Sequence, residues 1–275
     1  MSILDRFRLD GRVAVVTGGA GLLGAEFCRT LAEAGAAVVV ADINYDAAEA
    51  LVRQLSRDGA AAFAFPLDVT RIESTRDLVA ETLSHFGRLD ILVNSAALDP
   101  KFDPQALARG ILPGRFEDFP LDLWHQALAV NLTGVFLVTQ ACVGPMLQQG
   151  KGSIINICST YGLNGPDQRL YVNAEGQRIG YKPVYYTVTK AGVLGFTKYL
   201  AAYYAGTQIR VNALTPGGVY NQHDEHFVRN YSARTILGRM AQRDEMNGAL
   251  LFLASDASSY MTGANLIVDG GWTAW

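Results

Sequence analysis

The sequence predicts an α/β fold: a single domain built on a doubly wound parallel sheet of about seven strands, with helices on both faces. Two observations predict it. Short β-branched or apolar runs alternate with longer helical patterns from Val13 to Val268, the signature of βαβ units. No linker, low-complexity tract or internal repeat interrupts that alternation, and 275 residues suit one domain, large enough to bury a full core without staples.

The elements follow in order. Val13 to Thr17 is a β-branched run and reads as a buried strand, and Leu22 to Ala34 is a helix closed by Gly35. Ala37 to Ala41 is the second strand, Asp46 to Arg57 the second helix and Ala61 to Phe65 the third strand. Glu73 to Phe86 is helical, Leu89 to Val93 is the fourth strand, and a long helical pattern runs from Leu121 to Gln148. Ser153 to Cys158 is the fifth strand, Val184 to Tyr204 a helix, Ile209 to Leu214 the sixth strand, Asp244 to Leu253 a helix and Asn265 to Val268 the last strand. Apolar runs of this kind belong to parallel strands covered on both faces. Three stretches break the rhythm, 98–120, 163–183 and 220–240. Each follows a strand and is too long for a plain connection, so all three are candidate walls of a substrate site.

Composition removes several classes of function. The net charge of −3 and the lack of any basic block give no support to a nucleic-acid partner. The segment before Arg12 is polar and charged, unlike a signal peptide, and no apolar run reaches the roughly 18 residues of a membrane span. Cys28, Cys142 and Cys158 fit neither a zinc site nor a disulfide framework and read as small buried hydrophobes in a reducing compartment. The expected location is the cytoplasm.

The first strand runs into Thr17-Gly18-Gly19-Ala20-Gly21-Leu22-Leu23-Gly24. Glycines between a first strand and a helix permit a tight turn and close approach of a pyrophosphate, which the free N–H groups and dipole of the helix then hold. This is a Rossmann-type signature. Asp42 ends the second strand, 24 positions after Gly18, where a carboxylate accepts hydrogen bonds from the adenosine ribose. It would repel a 2′-phosphate, and no Arg or Lys stands beside it, so the expected cofactor is NAD rather than NADP. An Asp there is also an ordinary strand-end cap. Asp68-Val69 falls where the adenine of such a cofactor would sit, although an Asp after a strand is often a turn residue.

Tyr186 and Lys190 open a long helix four residues apart, hence on one face. An ammonium near a phenol favours the phenolate, and a phenol tuned that way exchanges protons near neutral pH. Ser159 ends the fifth strand at the same edge of the sheet as the glycine loop, positioned to hold an alcohol or ketone oxygen against Tyr186. Asn131 lies inside a long helix, where Asn is a poor helix former. A proton relay and plain helix packing are both open readings for it.

These residues, with Asn94-Ser95-Ala96-Ala97, Pro216-Gly217-Gly218-Val219 and Asp269-Gly270-Gly271, make the chain resemble the short-chain dehydrogenase/reductase family over nearly its whole length. The resemblance implies that Tyr186 is the acid–base residue, that Lys190 lowers its pKa and contacts the nicotinamide ribose, that Ser159 orients the substrate and that Asn131 anchors a water relay. It also implies a cofactor site made of Gly18, Gly21, Leu22 and Leu23, then Asp42, Ile43, Asp68 and Val69, then Asn94 and Ala96. Tyr186 and Lys190 join that site, and the backbone of Pro216, Gly217 and Val219 holds the nicotinamide carboxamide. Three features depart from the family pattern. The middle glycine stands at Gly21 rather than at position 22, and Asn-Ser-Ala-Ala replaces Asn-Asn-Ala-Gly. In addition, 27 positions separate Ser159 from Tyr186, about twice the usual distance, so that 165–181 reads as a flap or hairpin beside the site. Residues Gly162 to Asp167, Thr197 to Ala201, Tyr260 to Asn265 and Gly271 to Trp275 are similar to members found with bacterial flagellin-glycan and legionaminic-acid pathways, which implies a sugar-like substrate.

His223 and His226 are spaced like half a metal site, but no second pair of ligands accompanies them, so no metal is expected. Tyr199, Tyr203 and Tyr204 extend the Tyr186 helix. In the family that helix packs on a neighbouring subunit, which implies a homodimer or homotetramer. Trp272 and Trp275 either join another interface or cover the chain's own core. The expected activity is therefore NAD-dependent hydride transfer between nicotinamide and a secondary alcohol or ketone of a small, polar, sugar-like substrate. A 3-oxoacyl thioester reductase and a non-catalytic nucleotide-binding regulator are the competing readings.

Overall fold

A computed structural model of the chain describes residues 2–99 and 112–275. Seven parallel strands form one sheet in the order β3-β2-β1-β4-β5-β6-β7. They are β1 (Val13–Thr17), β2 (Ala37–Asp42), β3 (Ala62–Pro66), β4 (Ile91–Asn94), β5 (Gly152–Ile157), β6 (Ile209–Pro216) and β7 (Asn265–Val268). The helices are α1 (Leu22–Glu33), α2 (Tyr45–Arg57), α3 (Ile72–Phe86), α4 (Leu121–Gln149), α5 (Val184–Tyr203), α6 (Glu225–Ser232) and α7 (Asn247–Ala254).

Why this chain makes a two-faced sheet is visible in β1. All five of its residues are buried. Its period of two sends Ala14 and Val16 into a core with Phe27 and Leu31 of α1, Leu51 of α2 and Leu250 of α7. The alternate residues Val13 and Val15 enter a second core with Leu78 of α3, Val138 of α4 and Leu200 of α5. Burial of each such side chain stabilises the fold by about 1.5–3 kcal/mol. The cysteines behave as expected of small buried hydrophobes. All three are free and buried, and burial pushes the Cys142 thiol up to about 12.

Register is pinned along the centre, Val15 lying beside Val39 on one side and Leu92 on the other. The chain leaves β1 for β2 on one side and reaches β4 on the other. The switch in strand order therefore falls between β1 and β4, where a crevice opens at the carboxyl ends. Across β4 and β5, buried side chains bridge strands to helices. Asn94 Nδ2 donates to Thr139 Oγ1 (2.9 Å) and Asn156 Oδ1 (2.8 Å), and Asn156 Nδ2 donates to Thr197 Oγ1 (3.0 Å).

Three expectations change. The helical pattern from Leu121 is not one uniform helix, because Ala129–Thr133 is a π turn inside α4. It carries Asn131, whose amide turns away from the helix to bond another segment. Secondly, α4 is long and apolar enough to cross a membrane by length and composition, contrary to the sequence estimate. Half of its most apolar window, however, is buried inside the protein, so here it is the core helix. Thirdly, 220–240 is not simply a loop. Asp224 accepts from the Phe227 N–H and starts α6. The segment 165–181, read as a flap or hairpin, contains a 3-10 turn, Gln168–Leu170, and a small hairpin bridged between Val172 and Arg178. Of the expected loop 98–120, residues 100–111 lie outside the described residues.

Candidate active site

A cleft of about 520 Å³ runs along the carboxyl ends of the strands, from the glycine loop to the hairpin and α6. Its volume suits a cofactor-sized ligand.

At one end, Thr17 ends β1 and its Oγ1 accepts the N–H groups of Ser95 and Ala96, each at 3.1 Å. This draws the β4 loop against the glycine turn. Gly18 has φ +62°, and a Cβ there would lie 2.8 Å from the Ala96 Cα, so conformation and space both demand glycine. A Cβ at Gly24 would meet the Gly18 carbonyl oxygen at 2.0 Å, which seats α1 tightly on the turn. Gly21 starts α1 and no side chain caps it. The first-turn N–H groups at Leu22 and Leu23 are orphans by helix geometry, and both residues line the cleft. That uncapped, positively polarised terminus fits the pyrophosphate of a dinucleotide.

Asp42 lines the same end beside Ile43. Its Oδ2 accepts from Ala20 N at 3.0 Å and its Oδ1 from Asn44 N at 2.9 Å. These bonds fix the carboxylate and leave each oxygen a further lone pair. Asp68 and Val69 also face the cleft. The Asp68 Oδ1 accepts from the N–H (2.9 Å) and hydroxyl (2.6 Å) of Thr70, and those bonds hold its carboxyl below the usual range. It is a turn-forming Asp as well as a wall.

At the other end, Ser159, Tyr186 and Lys190 meet, beside Pro216, Gly217 and Val219. Ser159 caps a 3-10 turn and its Oγ accepts from Tyr161 N at 3.2 Å. The Ser159 hydroxyl beside Tyr186 favours the phenolate. Lys190 sends Nζ to the Ile157 carbonyl at 2.8 Å and lies 5.9 Å from the centre of the Tyr186 ring. The expectation that its ammonium holds the Tyr186 pKa down needs correction for the chain alone. Burial pushes Tyr186 well up, the Asp99 carboxylate adds to that, and Ser159 opposes both. Burial also pulls Lys190 down.

Two of the expected site residues do not line the cleft. Asn94 is buried in the β4–β5 network described above, and its Oδ1 has no partner among the described residues. Asn131 clamps Leu98, accepting from its N–H at 2.6 Å and donating to its carbonyl at 3.1 Å. Ala96 does face the cleft.

Several lining residues went unmarked in the sequence. Tyr161, Tyr171 and Tyr231 belong to one aromatic cluster with Trp272. The Tyr231 ring stacks on Trp272 with centroids 4.3 Å apart, and its hydroxyl oxygen accepts the Gly218 N–H at 2.6 Å. Trp272 thus covers the chain's own core, while Trp275 is exposed. Asp224 followed by apolar residues at 227, 228 and 231 was the available signal for α6. The two histidines diverge. His223 stacks on Phe227 at the cleft wall (5.0 Å), and His226 bonds Asn230 (2.8 Å).

Comparison with known proteins agrees with this geometry. A family model described as enoyl-(acyl carrier protein) reductase matches residues 19–273. The chain is 37% identical over 278 residues to the D-threitol dehydrogenase of Mycolicibacterium smegmatis, covering 99% of this chain and 97% of that one. It is 40% identical over 268 residues to the 3-alpha-(or 20-beta)-hydroxysteroid dehydrogenase of Mycobacterium bovis, covering 97% and 91%. Among solved structures, a gluconate 5-dehydrogenase from Burkholderia cenocepacia J2315, in complex with NADP and tartrate, superposes with TM-score 0.85 at 36% identity, both chains fully covered. The chain belongs to the short-chain dehydrogenase/reductase family. It is an oxidoreductase acting on CH–OH groups or the corresponding ketones, and it binds a nicotinamide cofactor.

Proposed function

We propose that this protein is an NAD-dependent dehydrogenase that interconverts a secondary alcohol and a ketone on a small, polar, sugar-like substrate. The observation that carries the reading is the meeting of Ser159, Tyr186 and Lys190 in one cleft with the uncapped start of α1 and Asp42. Leu22 and Leu23 N–H groups would hold the pyrophosphate, Asp42 the adenosine ribose, and the Pro216–Val219 backbone the nicotinamide end. Bound there, the cofactor supplies a hydride acceptor or donor and, when oxidised, a positive charge. Ser159 then holds the substrate oxygen. Tyr186 takes the hydroxyl proton in oxidation and returns it to the carbonyl oxygen in reduction. Lys190 keeps an ammonium beneath the phenol, and Asn131 fixes the Leu98 backbone at the rim.

Asp42 supports NAD because a carboxylate repels a 2′-phosphate, and no Lys or Arg lines that end of the cleft among the described residues. The same observation disfavours a 3-oxoacyl thioester reductase using NADPH. The complete Ser159, Tyr186 and Lys190 set disfavours a non-catalytic regulator. Sugar-like chemistry is supported by the relatives named for threitol and gluconate. The narrower likeness to flagellin-glycan and legionaminic-acid enzymes draws no support from those relatives. We further place the enzyme in the cytoplasm as a homodimer or homotetramer, on the strength of free buried cysteines and of Tyr199 and Tyr203 exposed on α5. The test is a panel of polyols, hydroxysteroids and acyl thioesters with NAD(H) and NADP(H), read as change in reduced nicotinamide. The expected result is turnover of polyols with NAD. Turnover confined to acyl thioesters with NADPH would overturn the reading.

A further inference from the structure

The hairpin carries a residue that none of the roles above uses. Lys182 lies just before α5, and its backbone is clamped from both sides by Gln168. Lys182 N donates to Gln168 Oε1 at 2.9 Å, and Gln168 Nε2 donates to the Lys182 carbonyl at 3.1 Å. The neighbouring Tyr181 N–H donates to the Pro113 carbonyl at 2.8 Å. From this fixed base the side chain reaches into the cleft with only 13% of its surface exposed. Its Nζ stands 3.9 Å from the centre of the Tyr186 ring and 2.6 Å from Asp99 Oδ1.

An ammonium has three protons to donate. One goes to Asp99, one side faces the Tyr186 ring, and donor capacity remains beside the reacting position. Asp99 keeps free lone pairs on a carboxylate that is mostly exposed. A donor and an acceptor thus stand together in the cleft that Ser159 and Tyr186 also line. A hydroxyl both donates and accepts, so it satisfies that pair. A C–H there leaves the pair unanswered, and a carboxylate meets Asp99. Among the described residues, nearby charge does not favour an anion. Lys190 has its Nζ on the Ile157 carbonyl, and burial holds His223 below its ordinary value and hence neutral at pH 7.

Resting on the dehydrogenase reading above, we infer that Lys182 and Asp99 are specificity-determining residues that recognise a second hydroxyl on the carbon adjacent to the one oxidised. The substrate class is then an uncharged vicinal diol or its hydroxyketone.

The experiment compares propylene glycol with isopropanol, which differ by that one hydroxyl, as substrates of the full-length wild type and of Lys182→Met and Asp99→Asn. The readout is the ratio of kcat/KM values for the two alcohols. A site built to bond a substrate hydroxyl rejects the analogue lacking it, so the wild type is expected to favour the diol by about tenfold or more. Lys182→Met is expected to bring the ratio to within about threefold of unity, and Asp99→Asn, a change at an exposed carboxylate that the fold tolerates, to lower it in the same direction. A diol preference that survives both substitutions, or a wild type active on both alcohols but indifferent to the second hydroxyl, overturns the assignment and leaves the dehydrogenase reading standing. A wild type that turns over neither alcohol, nor D-threitol, with NAD or NADP removes the dehydrogenase reading and the assignment with it.

Discussion

Replacing Asp42 with Asn isolates the charge that sets cofactor choice. The native carboxylate accepts backbone N–H groups from Ala20 at 3.0 Å and Asn44 at 2.9 Å. An amide of the same shape keeps one acceptor oxygen and presents an NH₂ where the other stood. One backbone N–H and one ribose hydroxyl then lose their acceptor. A hydrogen bond to a charged group contributes about 1.5–3 kcal/mol, so NADH affinity falls about 10- to 100-fold. The 2′-phosphate of NADPH experiences the opposite change. Two unit charges about 4 Å apart repel by about 1 kcal/mol in water and about 4 kcal/mol near a protein surface. The neighbouring Ile43 is exposed, so the lower half of that range applies, about 1–2.5 kcal/mol or 5- to 70-fold. Titration of both reduced cofactors by fluorescence measures the ratio directly, and a melting curve controls for the lost backbone bond. The expected wild-type preference for NADH is at least about 50-fold, collapsing to within about threefold in Asp42→Asn. Equal binding of both cofactors by the wild type, or a ratio the substitution leaves untouched, refutes the reasoning.

Two further outcomes follow from the site's electrostatics. Burial and Asp99 raise the Tyr186 pKa, so the phenolate needed for oxidation is scarce at neutral pH and increases with pH. Oxidation is therefore expected to accelerate from pH 7 towards pH 10, and reduction, which uses the phenol, to be flat at neutral pH and to fall at the alkaline end. An oxidation profile with its maximum below pH 7 contradicts this. Asp167 joins the hairpin to the segment after α6 through Arg234 Nε at 2.7 Å and also holds Arg169 at 2.8 Å. Arg169 first, then Arg234, keep its carboxyl well below the usual range. A depressed folded pKa contributes stability above the unfolded value, about 3.9, which is lost as pH falls through the folded value. Asp167→Asn is expected to cost about 1–2 kcal/mol at pH 7 and to raise KM by loosening the cleft wall. The melting-temperature gap to the wild type should narrow below pH 4, and a gap independent of pH contradicts the ion pair's role.

The sheet was legible because its determinants are local. Asn265–Val268 matches the sequence reading residue for residue, and Val13–Thr17 shows on both faces the burial that its unbroken apolar run requires. The glycine turn was legible for the same reason, since Gly18 and Gly24 sit where no Cβ fits. What stayed hidden depends on contacts distant in sequence. Asn131 looked like a helix interruption, and only the fold shows its amide clamped on Leu98. Tyr231 gains its place from Gly218 and Trp272, on a helix masked by the polar residues around it. Lys182 acquires meaning only when the hairpin brings it over Tyr186 and beside Asp99. The burial that opposes the Tyr186 phenolate was not legible, because four-residue spacing reports the nearby ammonium but not the packing around the phenol.

The most direct test of the central claim is Tyr186→Phe, assayed for NADH affinity and for turnover of a polyol in parallel. The phenylalanine keeps the ring and removes only the proton-transferring hydroxyl. NADH affinity is expected to stay within about threefold of the wild type while kcat falls by 10²–10⁴. Turnover above a tenth of the wild-type rate, with affinity unchanged, would show that the proton moves through another group and contradict the assignment.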